Sequence, residues 1–181
     1  MVKNDSESAL HQAVMEGHYQ VAQLLLQHGA DVNKMAGFYG SPLALAACNG
    51  DHKIVKLLLD NGADIDERGM LAVGSALQAA SAEGHVEVVD LLINQGANIN
   101  LHGDFFLPPL PLTTGEGESK FMFYHNALQA AAGQGHLQIV QQLLQKGAKD
   151  VVPAYESCTP DSALQIALSN GHHEIVKLLQ H

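Results

Sequence analysis

Apolar and polar positions alternate along this chain in one recurring order. A short segment rich in Ala and Leu opens behind Ser or Asn and closes on Gly. A longer segment follows, with apolar residues at helical spacing, and it closes on a second Gly. Ser8, Ser41, Ser75, Asn126 and Ser162 open five copies of this unit, at start-to-start spacings of 33, 34, 51 and 36 residues. Each opening residue has a short polar side chain that can accept the free amides of a first helical turn. Leu10, Leu43, Leu77, Leu128 and Leu164 stand two residues later and are expected to face a core. Gly17, Gly50, Gly84, Gly135 and Gly171 then end the short helix, through the left-handed turn that glycine adopts without a Cβ clash. The second helix carries its stripe at helical spacing, as in Ile54, Val55, Leu57, Leu58 and Leu59, and Leu91 and Leu92 fall in the same stripe of a central copy. Gly29, Gly62, Gly96 and Gly147 end those helices.

Helices this short are marginal alone, so each apolar face must be covered by the neighbouring unit. The pattern therefore predicts ten helices in five antiparallel pairs. The fold class is all-α, a solenoid of stacked helix pairs with extended turn tips and no single globular core. It forms one array over residues 1–181, with units at about 8–40, 41–74, 75–125, 126–161 and 162–181. The third holds an insertion of about 18 residues, placed at about 101–125.

The run from Ser75 to Asn100, with its Ser-x-Leu opening, Gly84-His85, the apolar stripe and Gly96-Ala97-Asn98, resembles the ankyrin repeat, and the other four copies resemble it in the same places. The stretch Gly74-Ser75-Ala76-Leu77-Gln78-Ala79-Ala80-Ser81 is similar to the ankyrin tracts of large fungal multidomain proteins, including those with a NACHT module. The resemblance implies a binding protein that recognises a partner through turn tips and through the concave face of its first helices. This sequence departs from the family pattern in three places. Asp51 stands where the other copies have His18, His85, His136 and His172. Gln78, Gln129 and Gln165 replace a motif histidine kept only as His11. Ala148-Lys149-Asp150 is one step out of phase with Ala30-Asp31-Val32-Asn33.

Charge narrows the partner. Lys and Arg total 9 against 19 Asp and Glu, a formal net charge of -10. Such a field repels nucleic acid and anionic membrane surfaces and favours a protein partner with a basic surface. No apolar run approaches membrane-spanning length, and the first ten residues have no apolar signal core. With two distant cysteines, Cys48 and Cys158, showing no metal or redox spacing, a cytoplasmic or nuclear setting is expected.

Catalysis is not expected, and no cofactor or metal is. His18, His85, His136 and His172 recur once per unit beside a glycine, a place set by the turn and fit for satisfying backbone groups rather than for converging on zinc. His102, Asp104, Tyr124 and His125 flank the insertion and form the one grouping with acid-base character, which ordinary loop polarity also explains. Asp31, Asp64 and Asp66 recur with the turns and are read as turn-stabilising.

Partner contact is placed on three surfaces. The first is the groove at the ends of the short helices, where Met15, Glu16, Asn49, Glu83 and Gln134 stand just before the closing glycines, next to Cys48. The second is the turn tips, with Phe38, Tyr39, Met70 and Leu71. The third is the insertion, which holds four of the five Phe residues, Phe105, Phe106, Phe121 and Phe123, and stiffens one arm with Pro108, Pro109 and Pro111. Apolar arms rimmed by Asp104, Glu116 and Glu118 suit a partner with an apolar anchor and a basic surround. A structural spacer within a larger receptor or scaffold is the alternative, and an enzyme or small-molecule binder with a site between insertion and groove is another.

Overall fold

A computed structural model describes residues 9–36, 40–67, 74–102, 126–150 and 162–180. Among these residues the chain forms ten helices: α1 (Ala9–Met15), α2 (Tyr19–Gln27), α3 (Pro42–Cys48), α4 (His52–Asp60), α5 (Ala76–Glu83), α6 (Val86–Asn94), α7 (Ala127–Gln134), α8 (Leu137–Gln145), α9 (Ala163–Ser169) and α10 (His173–Leu179). Odd-numbered helices pack side by side as an inner layer, even-numbered helices as an outer one, and each inner helix pairs with the outer helix that follows it. The only bridge of extended backbone among the described residues joins Ala36 and Gly40 at a turn tip.

The polar residue ahead of α3, α5, α7 and α9 caps each of them. Ser41 Oγ accepts the Ala44 amide at 3.2 Å, and Asn126 Oδ1 accepts the Gln129 amide at 2.9 Å. At Ser75 the cap is reciprocal: its Oγ accepts the Gln78 amide at 3.3 Å, and Gln78 Oε1 accepts the Ser75 amide at 2.7 Å. Ser162 and Gln165 repeat this pair of bonds at 3.2 and 2.8 Å. Two of the three glutamines that replace the motif histidine, Gln78 and Gln165, thus become the second half of a capping box. His11, where the histidine is kept, is fully buried and donates from Nε2 to the Gly40 carbonyl at 3.0 Å, tying the first inner helix to the next turn tip.

Small side chains set the inner spacing. Ala46, Ala47, Ala79, Ala80, Ala131 and Ala132 are all buried, and the inner helices approach one another more closely than the outer ones do. The outer helices supply bulk through Ile54, Leu58, Leu92, Ile139 and Leu143, none of them exposed. Leu10, Leu43, Leu77 and Leu128 are buried as expected, whereas Leu164 in the last inner helix is only partly covered. The stripe of α6 is narrower than its composition suggests. Leu92 is fully buried, but Leu91 is only half-buried at the edge of the core.

Turns between pairs are clamped in two ways. Asp31, Asp64 and Asn98 each accept the amide two residues ahead, at 3.0 to 3.1 Å, which closes a local turn. The side chain that follows then reaches into the next turn. Asn33 Oδ1 accepts the Asp64 amide at 2.8 Å, Asp66 Oδ1 accepts the Asn98 amide at 2.9 Å, and Asn100 Oδ1 accepts the Lys149 amide at 2.8 Å. The last of these spans the insertion with the same geometry as the others, so α5/α6 and α7/α8 stack in register. Asp150, one step out of phase, bonds instead to the first turn of α9, accepting the Ala163 amide at 2.8 Å.

One further contact joins pair to pair. His85 Nε2 donates to the Cys48 carbonyl at 2.9 Å, His136 Nε2 to the Ala82 carbonyl at 2.9 Å, and His172 Nε2 to the Gly133 carbonyl at 3.0 Å. In each case the acceptor lies two residues before the glycine that ends the preceding inner helix. The rings lie on those glycines: a Cβ on Gly50, Gly84 or Gly135 would stand 2.6 to 2.7 Å from the imidazole. The recurring histidines therefore satisfy a carbonyl of the preceding pair, beyond their own turn. Where Asp51 replaces the histidine, it caps its own helix by accepting the Lys53 and Ile54 amides at 3.0 Å, and Asn49 Nδ2 reaches the Met15 carbonyl at 3.3 Å instead.

Two stability predictions follow from this geometry. Gly62 and Gly84 share a left-handed backbone, with φ of +84 and +82°, but only Gly84 has a ring against it. Gly62→Ala is expected to cost about 1 kcal/mol, the left-handed penalty alone. Gly84→Ala is expected to cost at least about 1 kcal/mol more, because the His136 ring must leave its carbonyl to make room. Urea unfolding of both variants checks this, and equal losses would show that the ring contact carries no stability. Leu92→Ala is expected to cost about 2–5 kcal/mol and Leu91→Ala clearly less, since only the first opens a cavity in the core; the same titration ranks them.

Candidate functional site

Inner helices deliver their last residues to one surface. Glu16, Asn49, Glu83 and Gln134 are exposed there, and Met15 is half-buried and packed against the core. They stand together because each precedes the glycine that turns the chain toward its outer helix. These are the described members of the expected contact set. Phe38, Tyr39, Met70, Leu71, Phe105, Phe106, Phe121 and Phe123 lie outside the described residues, as do Asp104, Tyr124 and His125. Of the grouping beside the insertion, His102 alone is described, and it is half-buried.

The groove positions divide by what they touch. Asn49 is tied to the stack, its Nδ2 reaching both the Val14 and Met15 carbonyls at 3.4 and 3.3 Å. Asn170 does the same farther along, donating to the Gly133 carbonyl at 2.8 Å. Among the described residues Glu16 accepts only from Gln12, one turn earlier on the exposed side of α1. No hydrogen bond among the described residues ties the Glu83 or Gln134 side chain to a neighbouring pair. The groove therefore combines fixed amides, which keep adjacent pairs aligned, with side chains free to meet something else. The amides were not distinguishable in the sequence, where Asn49 and Asn170 look like two more variable positions; their recurrence two residues before the latch position is the signal.

Cys48 sits in this surface as a free, half-buried thiol. Burial raises its pKa above the ordinary value, and the negative charge of Glu83 on the next inner helix raises it further. Both effects disfavour the thiolate, so the groove holds a quiet sulfhydryl and not an activated nucleophile. Among the described residues no group of three or more His, Cys, Asp or Glu is placed to hold a metal ion. A shallow pocket of about 280 Å³ lies on the other layer, between α2 and α4, lined by Tyr19, His52, Lys53, Lys56, Leu57 and Asp60. It shares no residue with the groove. No helix among the described residues is long and apolar enough to cross a membrane.

The thiol reports on the groove's field. With Cys158→Ser leaving one sulfhydryl, the pH at which Cys48 becomes half-reactive toward iodoacetamide is expected above that of an exposed cysteine. Glu83→Gln is expected to lower it, because removing a negative charge eases thiolate formation. An unchanged profile in that variant would show that Glu83 exerts no field at Cys48.

Comparison with known proteins agrees with this architecture. The sequence model of the family described as "Ankyrin repeats" matches residues 10–103 and 112–181, in three copies. Among curated proteins, the chain is 50% identical over 44 residues to "Potassium channel AKT1" of Oryza sativa subsp. indica, and equally to that of subsp. japonica. The stretch is 24% of this chain and 5% of each channel, so the chain matches a small part of those relatives.

Proposed function

The chain belongs to the ankyrin-repeat family, and we propose that it is a non-catalytic module that binds another protein through the inner-helix groove, the turn tips and the 101–125 insertion. The observation that carries this reading is the division of labour in the groove. Caps, latches and turn clamps occupy most of the polar side chains that recur from pair to pair, yet Glu16, Glu83 and Gln134 are presented on one surface without bonds across the stack among the described residues. Exposed side chains on a rigid scaffold are what recognition needs, since little order has to be imposed on binding.

Charge supports a partner with a basic surface. The whole chain carries -10, and the groove contributes Glu16 and Glu83 with no Lys or Arg among its expected contact residues. Opposite charge would speed encounter and fix register more than it adds affinity. The aromatic residues of the insertion supply a place for an apolar anchor in this reading. A cytoplasmic or nuclear setting belongs to the same proposal, in keeping with the free thiol at Cys48. The module would serve equally inside a larger receptor or scaffold, the setting that the likeness of residues 74–81 to fungal multidomain tracts brings to it.

The test is affinity capture with the purified chain, run beside a Glu16→Lys/Glu83→Lys variant and beside a deletion of residues 104–120 closed by a short glycine linker. Proteins retained by the wild type are expected to be lost with the charge reversal, and weakened about 10-fold or more by the deletion. Capture that survives both changes would overturn the reading of groove and insertion, provided the variants keep the wild-type far-UV dichroism.

A further inference from the structure

The shallow pocket between α2 and α4 has a chemistry that the rest of the outer layer lacks. Lys53 and Lys56 stand one turn apart on α4 and line it together with His52. At the places equivalent to the two lysines, the other outer helices hold Gln20 and Gln23, Glu87 and Asp90, Gln138 and Gln141, and Glu174 and Lys177. The fold thus accepts amides and carboxylates there, and stacking does not call for two ammonium groups. In a chain with 9 Lys and Arg against 19 Asp and Glu, two lysines on one pocket wall need another reason.

The fold does not use these ammonium groups. Among the described residues no carboxylate pairs with Lys53 or Lys56, although Asp60 stands one turn beyond Lys56 on the same helix. Few other acids surround them. Asp51 Oδ1 accepts the Lys53 and Ile54 amides, and α2 has no charged side chain. Glu87 and Asp90 belong to α6, which packs on the other side of α4, and Asp90 accepts there from Gln142 at 3.2 Å. Exposed charges more than about 8 Å apart are largely screened at physiological salt, so the pocket feels these neighbours more than the charge of the whole chain. The remaining lining is apolar. It comes from Leu57, which is 8% exposed, and from the half-buried ring of Tyr19. The equivalents of Tyr19 are His52, Val86, Leu137 and His173, so its phenol ring is likewise particular to this junction.

We propose that this pocket binds an aryl phosphomonoester, its phosphate met by Lys53, Lys56 and His52 and its ring laid against Tyr19 and Leu57. Two ammonium groups match the charge of about -1.5 to -2 on a phosphomonoester, whereas a single carboxylate would leave one of them unanswered. Lysine suits phosphate as a compact point charge with three donors. The volume of about 280 Å³ equals that of about nine waters, enough for one ring and its phosphate. Asp60, at the far end of the lining, disfavours a second anionic group. A phosphorylated tyrosine of another protein and a free aryl phosphate present the same chemistry to these residues. The pocket shares no residue with the inner-helix groove, so its failure would leave the binding reading above untouched.

Titration of the isotope-labelled full chain with phenyl phosphate, followed by NMR, is the test. Saturable shifts at the Tyr19, Lys53 and Lys56 amides are expected, with a Kd of about 1 mM or tighter. Lys53→Gln/Lys56→Gln is expected to weaken binding about 10-fold or more. Its far-UV dichroism is expected to stay wild-type, since glutamine stands at both places in α2 and α8. Tyr19→Leu copies Leu137 of α8; it is expected to weaken phenyl phosphate about 2- to 10-fold and to leave inorganic phosphate unaffected. Asp60→Asn is expected to tighten binding about 2- to 5-fold. A phosphotyrosine peptide that binds at least as tightly as phenyl phosphate would assign the site to a protein partner, and one that binds more weakly would assign it to a free aryl phosphate. The proposal is overturned if shifts do not saturate by about 10 mM phenyl phosphate. It is overturned equally by an affinity that the double lysine change leaves unmoved, or by inorganic phosphate binding as tightly as its phenyl ester.

Discussion

The stack depends on the imidazole that lies on the preceding glycine and donates to a carbonyl two residues before it. An inner helix of seven or eight residues ends with carbonyls that its own backbone cannot satisfy. Left buried between pairs, such an acceptor would cost about 1–3 kcal/mol. The histidine of the next pair supplies the missing donor, and the bond is possible only because glycine lets the ring come within van der Waals reach of the backbone. Glycine is therefore required twice at these positions, once for the left-handed turn and once for the ring. That double constraint gives a physical reason for the Gly-His dipeptide found in four of the five copies.

Much of this was legible in the sequence, and the reason is periodicity. Caps, core leucines and left-handed glycines act within a few residues of themselves, so their spacing is the same in every copy. The acceptor of each histidine was not legible. Its distance along the chain is 37 residues for His85, 54 for His136 and 39 for His172, though the bond length hardly changes. A sequence separation that absorbs an insertion cannot be read from a period. The half-exposure of Leu91 beside the fully buried Leu92 has a related cause: both sit in the apolar stripe, but coverage depends on which neighbouring helix each side faces. The insertion has no counterpart in the other pairs, so periodicity offers no position for Phe105, Phe106, Phe121 or Phe123.

Departures from the repeat show how the stack tolerates variation. Asp51 cannot donate as the histidines do, yet the junction between the first two pairs is still joined, because Asn49 donates to the Met15 carbonyl from the other side. Asp150, out of phase, bonds to the first turn of α9. In the first case the carbonyl that must be satisfied stays the same and the residue that satisfies it changes; in the second the carboxylate moves to different amides, those that open α9. A nearest-neighbour array makes this possible, since a substitution at one junction has to be answered only at that junction.

The same locality separates stability from recognition. Among the described residues, the bonds that join one pair to its neighbour run through backbone carbonyls and turn amides, and none uses a charged side chain at the groove. Glu16 and Glu83 can therefore be exchanged without loosening the stack, while burial, and after it the negative charge of Glu83, raises the pKa of Cys48 in the groove. The groove's two glutamates thus stand on a scaffold indifferent to their charge. That freedom is the physical reason to look for the protein's function among the side chains its fold does not use.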